Sequence, residues 1–487
     1  MSPARRAPAG PTAAVVPAAV PGPRSGGGRR AVVVGGGLAG MLSAAAVRHL
    51  VDAVDIVEPH ALPAAPVRRR GLPQARHAHV LVSGGAGAIE RLLPGTTERL
   101  LAAGARRVPL PTGLVSYTPE GWNRRWLRAT QYLVTCSRDL LDHVVRTQVL
   151  RDPRVRVVPG RVTGLLGDRR RVTGVCCAPQ DGPERALPAL LVLDAAGRAT
   201  RLPGWLAGLG VTGLVEERVD SGLVYASRLY RAPTGDPDWP VVMVQADSRQ
   251  PRPGQSATVV PVEGERWLVS LSGTRGGEPT RDPDAFVPFA RGLRHAIVGE
   301  LLAHAEPLSD VALTRGTANE RRRYERLADW PDGLVAVGDS VAAYNPVYGH
   351  GMSVAAQGAL AVREVLTRTG PADPGAARRA QRAVAAPVGV AWALATGQDV
   401  HYPHTTGASP TLGDRVLQRY ARRLALTGNG SYRAASALTD VMSLTAAPHS
   451  LGRPGVLLSA LVGPLRPPLT GPQFTARERA LLRGGDA

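Results

Sequence analysis

Residues 31 to 58 carry the clearest hydrophobic pattern in the chain. "AVVV" is an unbroken apolar run, "GGGLAG" is a glycine turn, and small residues then continue as a helix to about Leu50. "AVDIVE" follows as a second apolar strand ending at Glu58. Unbroken runs suit strands covered on both faces, as in a parallel sheet with helical crossovers. "HVLVSGGAGAIERLLPG" reads as helical, "YLVTC" as a strand, and Ser137 as the N-cap of a helix "RDLLDHVVRTQVL". Residues 154 to 178 alternate like a hairpin, and "LLVLDAAGR" is a buried strand ending at Asp194. The pattern changes between about 220 and 275. "SGLVYASRLYRAP", "VVMVQAD", "SATVVPV" and "RWLVSLSG" alternate and are joined by turns, which predicts a mostly antiparallel sheet inserted into the α/β unit. Helices follow from about 283 to 305, the strand "GLVAV" returns before Gly338, and the chain beyond about 350 is helical and alanine-rich.

Gly35, Gly37 and Gly40 fit G-x-G-x-x-G, with Leu38 and Ala39 between the last two glycines. The first glycine makes the tight turn, the second admits a pyrophosphate to the backbone, and the third packs helix on strand. The phosphates would meet the free N–H groups of the helix N-terminus. Glu58 lies where an acid bonds a ribose hydroxyl. Strand, glycines, helix and acid together predict dinucleotide binding.

That motif alone does not separate NAD from FAD. "GLVAVGDSVAAYNPVYGHGMS" does. The strand ends in Gly338-Asp339, and a carboxylate there can accept hydrogen bonds from a ribityl chain, which NAD lacks. Pro346 directs the loop, and Gly349 and Gly351 let backbone amides face a flavin ring as the next helix begins. The positive end of that helix would stabilise negative charge on reduced flavin. His350, between the two glycines and before Met352, reads as a spacer with its ring turned outward. The fold expected is therefore α/β. Its Rossmann-like FAD-binding domain spans 31–215 and returns at 311–368, a β-sheet substrate domain occupies 216–310, and a helical region occupies 369–487.

Composition trims the alternatives. Of 487 residues, 44% are hydrophobic, enough for a sizeable core. The net charge is +20 and every one of the 59 basic residues is arginine. The absence of lysine excludes Schiff-base chemistry and a P-loop lysine. The arginines are scattered without aromatic interleaving, which argues against nucleic acid. No apolar run reaches the ~18 residues a membrane span requires. Prolines interrupt every candidate signal core in residues 1–30, so that stretch is read as a disordered tail and the location as cytoplasmic. The three cysteines, Cys136, Cys176 and Cys177, lack metal-ligand spacing, and no metal site is expected.

The combination of "GGGLAG", "DAAGRATRLP" and "GDSVAAYNPVYGHGM" resembles the flavin-dependent monooxygenases related to aromatic hydroxylases (class A). In that family an arginine after the ribose acid and another on the helix after the middle strand help hold FAD. Arg69 of "RRRGLPQ" and Arg138 of "SRDLL" are the matching positions. Longer stretches, "RRGLPQARHAHVLVSGGAGAIERLLPGTTERLLAAGARR", "VDSGLVYASRLYRAP" and "LSGTRGGEP", are similar to the actinobacterial polyether epoxidases of the lasalocid and monensin type, from about residue 31 to about 450.

This resemblance implies FAD, O2 as co-substrate, and electrons from NAD(P)H or a separate flavin reductase. It also implies oxygen transfer from a flavin hydroperoxide to alkenes of a linear polyene polyketide, free or held on a carrier protein. The oxygen comes from the cofactor, so no side-chain catalytic residue is expected. An apolar tunnel along "VVMVQAD" and "RWLVSLSG" would suit such a substrate. Phenol hydroxylation is the runner-up, with Tyr225, Tyr230, Tyr344 and Tyr348 as candidate bases. A polyprenyl reductase shares the fold. A flavin halogenase is disfavoured because those enzymes use a lysine.

Overall fold

The computed structural model describes residues 28–233 and 239–483. The tail expected over 1–30 lies, through residue 27, outside the described residues. At the centre is a five-stranded sheet in the order Leu334–Ala336, Leu191–Asp194, Arg30–Val34, Ala53–Glu58, Val155–Pro159. Every neighbouring pair is parallel. Ala31, Val32, Val33, Val54, Ile56, Val192 and Leu193 are fully buried, which explains why these strands are unbroken apolar runs. Val155–Pro159 therefore belongs to this sheet rather than to the hairpin its alternation predicted; the hairpin is Arg161–Gly167 with Val172–Ala178.

The register decides where the chemistry-bearing residues go. Val34 pairs with Val57 and Asp194, and Asp194 pairs with Ala336. The next residues along those strands are Gly35, Glu58, Ala195 and Val337. The glycine turn, the acid at Glu58 and the Gly338-Asp339 turn thus leave the same C-terminal edge of one parallel sheet, where open α/β sheets bind ligands. The Leu334–Ala336 edge is covered by the helix Ala376–Asp399. Gln381 Nε2 donates to Ala336 O at 3.3 Å and its Oε1 accepts from Ala336 N at 2.7 Å, so the outer strand has no bare rung there.

The second layer is a seven-stranded sheet, ordered Ala312–Thr314, Val224–Arg231, Arg266–Gly273, Gln255–Val262, Val241–Val244, Leu114–Thr118, Gly121–Trp122. Four of its strands are those read from the alternation, and the early segment 114–122 joins them through a parallel pairing with Val241–Val244. Trp267, Val269, Leu271, Val242 and Val244 fill a separate core with Phe286, Ala290 and Val298 of the two following helices. The segment "HVLVSGG" is a short strand, Val80–Val82, before its helix Ser83–Leu92; pairing with Gln131–Thr135 extends what sequence reads as helix. No helix among the described residues is long and apolar enough to cross a membrane.

His77 fastens the two layers together. Its Nδ1 is 2.7 Å from Ser227 Oγ and its Nε2 is 2.7 Å from Thr314 Oγ1, and both serine and threonine lie on the larger sheet. The adjacent Ala78 N–H donates to Ser270 Oγ at 2.9 Å. Burial holds the His77 pKa down at about 4. An unfolded chain takes up that proton near 6.5 and the folded one only near 4, so stability falls as pH drops through this window. His77→Gln keeps a donor and an acceptor but does not titrate. It is expected to flatten the acid limb of stability in urea melts run from neutral pH to about 4. A wild-type slope in the variant would show that His77 is not the acid-sensitive group.

Candidate functional site

Two of the three motif glycines have a measurable reason to be glycine, and the third marks the open side. Gly35 has φ +96°, and a Cβ there would lie 2.8 Å from Ala195 O. A Cβ on Gly40 would lie 1.9 Å from Gly35 O, so the helix Leu38–Val47 presses directly on the turn. A Cβ on Gly37 would meet nothing within 4 Å: this is the open side, and Gly37 caps the helix without a side-chain acceptor. The free N–H groups of that helix start therefore face an empty approach suited to an anion. Leu38 is buried and Ala39 partly so.

Glu58 is buried and anchors the loop. Its Oε2 accepts from Gly36 N at 2.7 Å and pairs with Arg69 Nη2 at 3.3 Å, while Oε1 accepts from His60 N at 3.1 Å. A carboxylate has about four acceptor directions, so capacity for a hydroxyl remains. Arg69 Nη1 also donates to Gly36 O at 2.8 Å, and its buried Nε has no partner among the described residues. Beside them Arg68, Arg69, Arg70, Gly71 and Leu72 line an opening of about 350 Å³.

The late turn meets the early one. Gly338 has φ +61°, and a Cβ there would lie 2.8 Å from the Ala39 side chain. Asp339 is thereby carried to the start of the glycine-loop helix. Among the described residues no hydrogen-bond donor reaches its carboxylate. Burial raises its pKa, and the Arg198 and Arg138 charges oppose that rise. Arg138 itself is buried and pairs through Nε with Asp142 at 2.7 Å, following the Ser137 cap, whose side chain accepts from Leu140 N. Its charge is close enough to act on Asp339 without touching it.

Pro346 opens a single 3₁₀ turn, Pro346–Tyr348, capped by the Asn345 side chain, which accepts from Val347 N at 3.2 Å. Gly349 is left-handed at φ +69° and would strike Val80 with a Cβ. Gly351 begins the helix Gly351–Thr369, a Cβ on it would meet nothing, and Met352 packs partly buried against the core. The expectation for His350 is overturned: the ring is 2% exposed and Nε2 is 3.0 Å from Met442 O. It turns inward because the C-terminal region folds back over the helix start, a contact no local pattern announces. Burial lowers its pKa, so it sits there neutral.

Sequence reading missed Asp399. This buried carboxylate ends the helix Ala376–Asp399 and gathers the 345–348 loop around itself. Asn319 Nδ2 donates to Oδ2 at 2.7 Å, Asn345 Nδ2 to Oδ2 at 2.9 Å, and Tyr348 OH to Oδ1 at 2.7 Å. Burial raises its pKa, and these donors with Ser221 hold it down. Tyr225 lies close enough for its hydroxyl to feel the Asp399 charge, and that buried hydroxyl has no partner. Tyr230 packs 6.0 Å from Phe286 in the other core, and Tyr344 donates to Val388 O at 3.3 Å, so neither joins the cluster. The signal available in sequence was a lone acid after a long alanine-rich helix, which is too common to single out.

The sheet face turned to this cluster is only in part the apolar wall expected of "VVMVQAD" and "RWLVSLSG". Cross-strand register places Tyr225, Ser272 and Ser256 in one row and Ser227, Ser270 and Thr258 in the next. Ser227 and Ser270 are 2.6 Å apart, Ser256 and Ser272 2.7 Å. Val242, Val244, Val259, Val269, Trp267 and Leu271 point to the opposite core, while Val241, Val260, Val262 and Leu268 pack with the main core on the hydroxyl-bearing side. Strand alternation allows either face to be the hidden one, and both faces are covered here. Among the described residues no cluster of His, Cys, Asp and Glu could hold a metal.

No family model matches the chain. Among solved structures, flavin-dependent brominase Bmp2 superposes with a TM-score of 0.56 at 16% identity, covering 85% of this chain and 92% of that one. PqsL, a probable FAD-dependent monooxygenase from Pseudomonas aeruginosa, gives a TM-score of 0.54 at 19% identity, covering 77% and 97%. The fold is thus that of the FAD-dependent monooxygenases and halogenases. Protein Rv3254 of Mycobacterium tuberculosis (strain ATCC 25618 / H37Rv) is 32% identical over 383 residues, 76% of this chain and 80% of that protein. The chain belongs to the same family as Rv3254.

Proposed function

We propose that the chain is an FAD-dependent monooxygenase that epoxidises alkenes of a linear polyene polyketide in polyether biosynthesis. The observation that carries the flavin reading is the meeting of the two turns. An uncovered helix start at Gly37 and a donor-free Asp339 carboxylate lie side by side because Gly338 rests on Ala39. The residues present fit FAD. The N–H groups from Gly37 onward would receive the pyrophosphate, Glu58 and Arg69 would flank the adenosine ribose, and Asp339 would accept from the ribityl hydroxyls. Arg138 offsets the charge of Asp339, and the Gly351 helix start would face the ring. When bound, FAD supplies the activation of dioxygen, with electrons from NAD(P)H or a flavin reductase.

The chain's own residues hold and shield. Asp399 pins Asn345 and Tyr348, so the Pro346–Gly349 segment keeps one shape beside the ring. The helix start at Gly351 offers positive potential where charge accumulates on reduction. Ser227 and Ser270 are taken up by His77 and Ala78, so the row of Tyr225, Ser272 and Ser256 is the one that offers hydroxyls to oxygen atoms of a polyketide while the alkene is positioned, and the second sheet excludes bulk water from that face. The motif stretches quoted above support the choice of a polyene substrate over others of the fold. Phenol hydroxylation is the second reading, favoured by one observation: the Tyr348–Asp399 hydrogen bond beside the unpartnered Tyr225 hydroxyl could pass a proton. Halogenation is weaker, because the chain has no lysine.

The deciding experiment incubates purified protein with FAD, a reductant, air and a synthetic tris-alkene, with mass analysis for one-oxygen additions; a phenol substrate runs in parallel. Turnover of the phenol alone would replace the epoxidase reading with its runner-up, and a protein that takes up no FAD would end both. Asp339→Ala is expected to weaken FAD binding about 10–100-fold, the equivalent of a lost hydrogen bond to a charged group, measured by flavin fluorescence titration. Asp399→Asn places an amide donor among three donors and should free the loop. The expected result is weaker FAD binding with an unchanged far-UV circular dichroism spectrum; wild-type affinity would mean the loop does not depend on Asp399.

A further inference from the structure

The C-terminal region exposes an apolar face that the core does not explain. In the helix Pro454–Val462, Val456 and Ala460 turn inward to Leu424 and Ala434. The outward positions are apolar as well: Leu457 is 41% exposed, Leu458 59%, Leu461 78% and Val462 61%. Leu457 with Leu461 and Leu458 with Val462 are i, i+4 pairs, so they form two adjacent ridges on one side. The chain then runs on to Leu465, 73% exposed, and to Arg466, which lies 4.9 Å from the Trp126 ring. Next to Trp126, Leu127 is completely exposed. A helix apolar all round is one that is buried on all sides when at work.

The face is set firmly rather than loosely attached. Arg423 of the helix Leu412–Gly428 donates to Ala460 O at 2.7 Å and Leu461 O at 3.0 Å. Leu465 N donates to Gly430 O at 3.2 Å, and Arg124 Nη2 donates to Pro467 O at 2.9 Å. The surroundings are cationic. Between Leu412 and Arg466 there are seven arginines and two acids; Arg415, Arg419, Arg453 and Arg466 are exposed, and Arg422, also exposed, pairs with Glu120 at 3.7 Å.

We propose that this face seats on an anionic lipid surface, with the leucines entering the acyl boundary and the arginines meeting the headgroups. Charge selects this occupant. A second copy related by a two-fold axis would set the same arginine rim against itself. An acidic protein would satisfy the rim, but the buried centres of such interfaces are rich in aromatic residues and Met, and the outward ridges here are wholly aliphatic. The helix Pro454–Val462 has nine residues, far short of the ~20 needed to span, so it lies in the plane of the interface. The arrangement is independent of the reaction assigned to the flavin site.

The test is flotation of the full chain with vesicles of phosphatidylcholine alone and of phosphatidylcholine with about one-quarter phosphatidylglycerol. Binding is expected only with the anionic vesicles, at least about tenfold above the neutral ones, and should drop sharply at about 0.5 M salt. The double substitution Leu458→Glu with Leu461→Glu touches no packed side chain. It should abolish flotation while the thermal melt and the FAD titration stay at wild-type values. Failure of the wild-type chain to float with anionic vesicles would overturn the proposal without bearing on the flavin site. So would flotation that survives the double substitution, or light scattering that shows a dimer which the substitution splits. The wild-type lipid and salt series stands even if the variant misfolds.

Discussion

The architecture rests on backbone meeting backbone at the C-terminal edge of the parallel sheet. The helix after the first strand comes so close to its own turn that a methyl group on Gly40 would overlap Gly35 O. The returning strand then delivers Gly338 against Ala39 of that same helix. Glycines allow both approaches because they lack a Cβ and tolerate positive φ. Without them the helix start and Asp339 could not share one crevice, although some 300 residues separate the motifs in the chain.

A second level of order comes from buried polar groups that find partners on residues distant in sequence. Asp399 draws donors from the strand Asn319–Arg322, from the loop that holds Asn345 and from Tyr348. An unpaired carboxylate there would be costly, so the network forces loop, strand and helix end into one arrangement. His350 does the same for the C-terminal region through Met442 O. The 345–349 loop is therefore shaped by groups on elements remote in sequence. His77 plays the matching part between the dinucleotide layer and the large sheet.

The two faces of the large sheet divide the labour. One is closed by helices and packed with Trp267, Val269 and Leu271. The other faces the dinucleotide layer and is dressed with paired hydroxyls. The hydroxyl-bearing rows lie beside an apolar row of Leu229, Leu268 and Val260, so this face sets hydrogen-bonding groups and apolar surface at fixed spacing.

Much of this was legible in the chain. Unbroken apolar runs identified parallel strands because burial on both faces leaves no room for alternation. The three motif glycines, Glu58, the Ser137 cap and the Gly338-Asp339 turn were readable because each reflects a local demand of backbone geometry or hydrogen bonding. Contacts between remote segments were not. Val155–Pro159 alternates like a hairpin strand yet joins the parallel sheet. His350 looks like an outward spacer until the C-terminal region covers it. Asp399 is an ordinary acid until three donors close on it. Which face of the inserted sheet meets the dinucleotide layer was likewise undetermined, since period-two alternation has no preferred side. Sequence carries the conformational demands of each short segment; only the folded chain decides which segments meet, because burial and polar satisfaction belong to the pair and not to either partner.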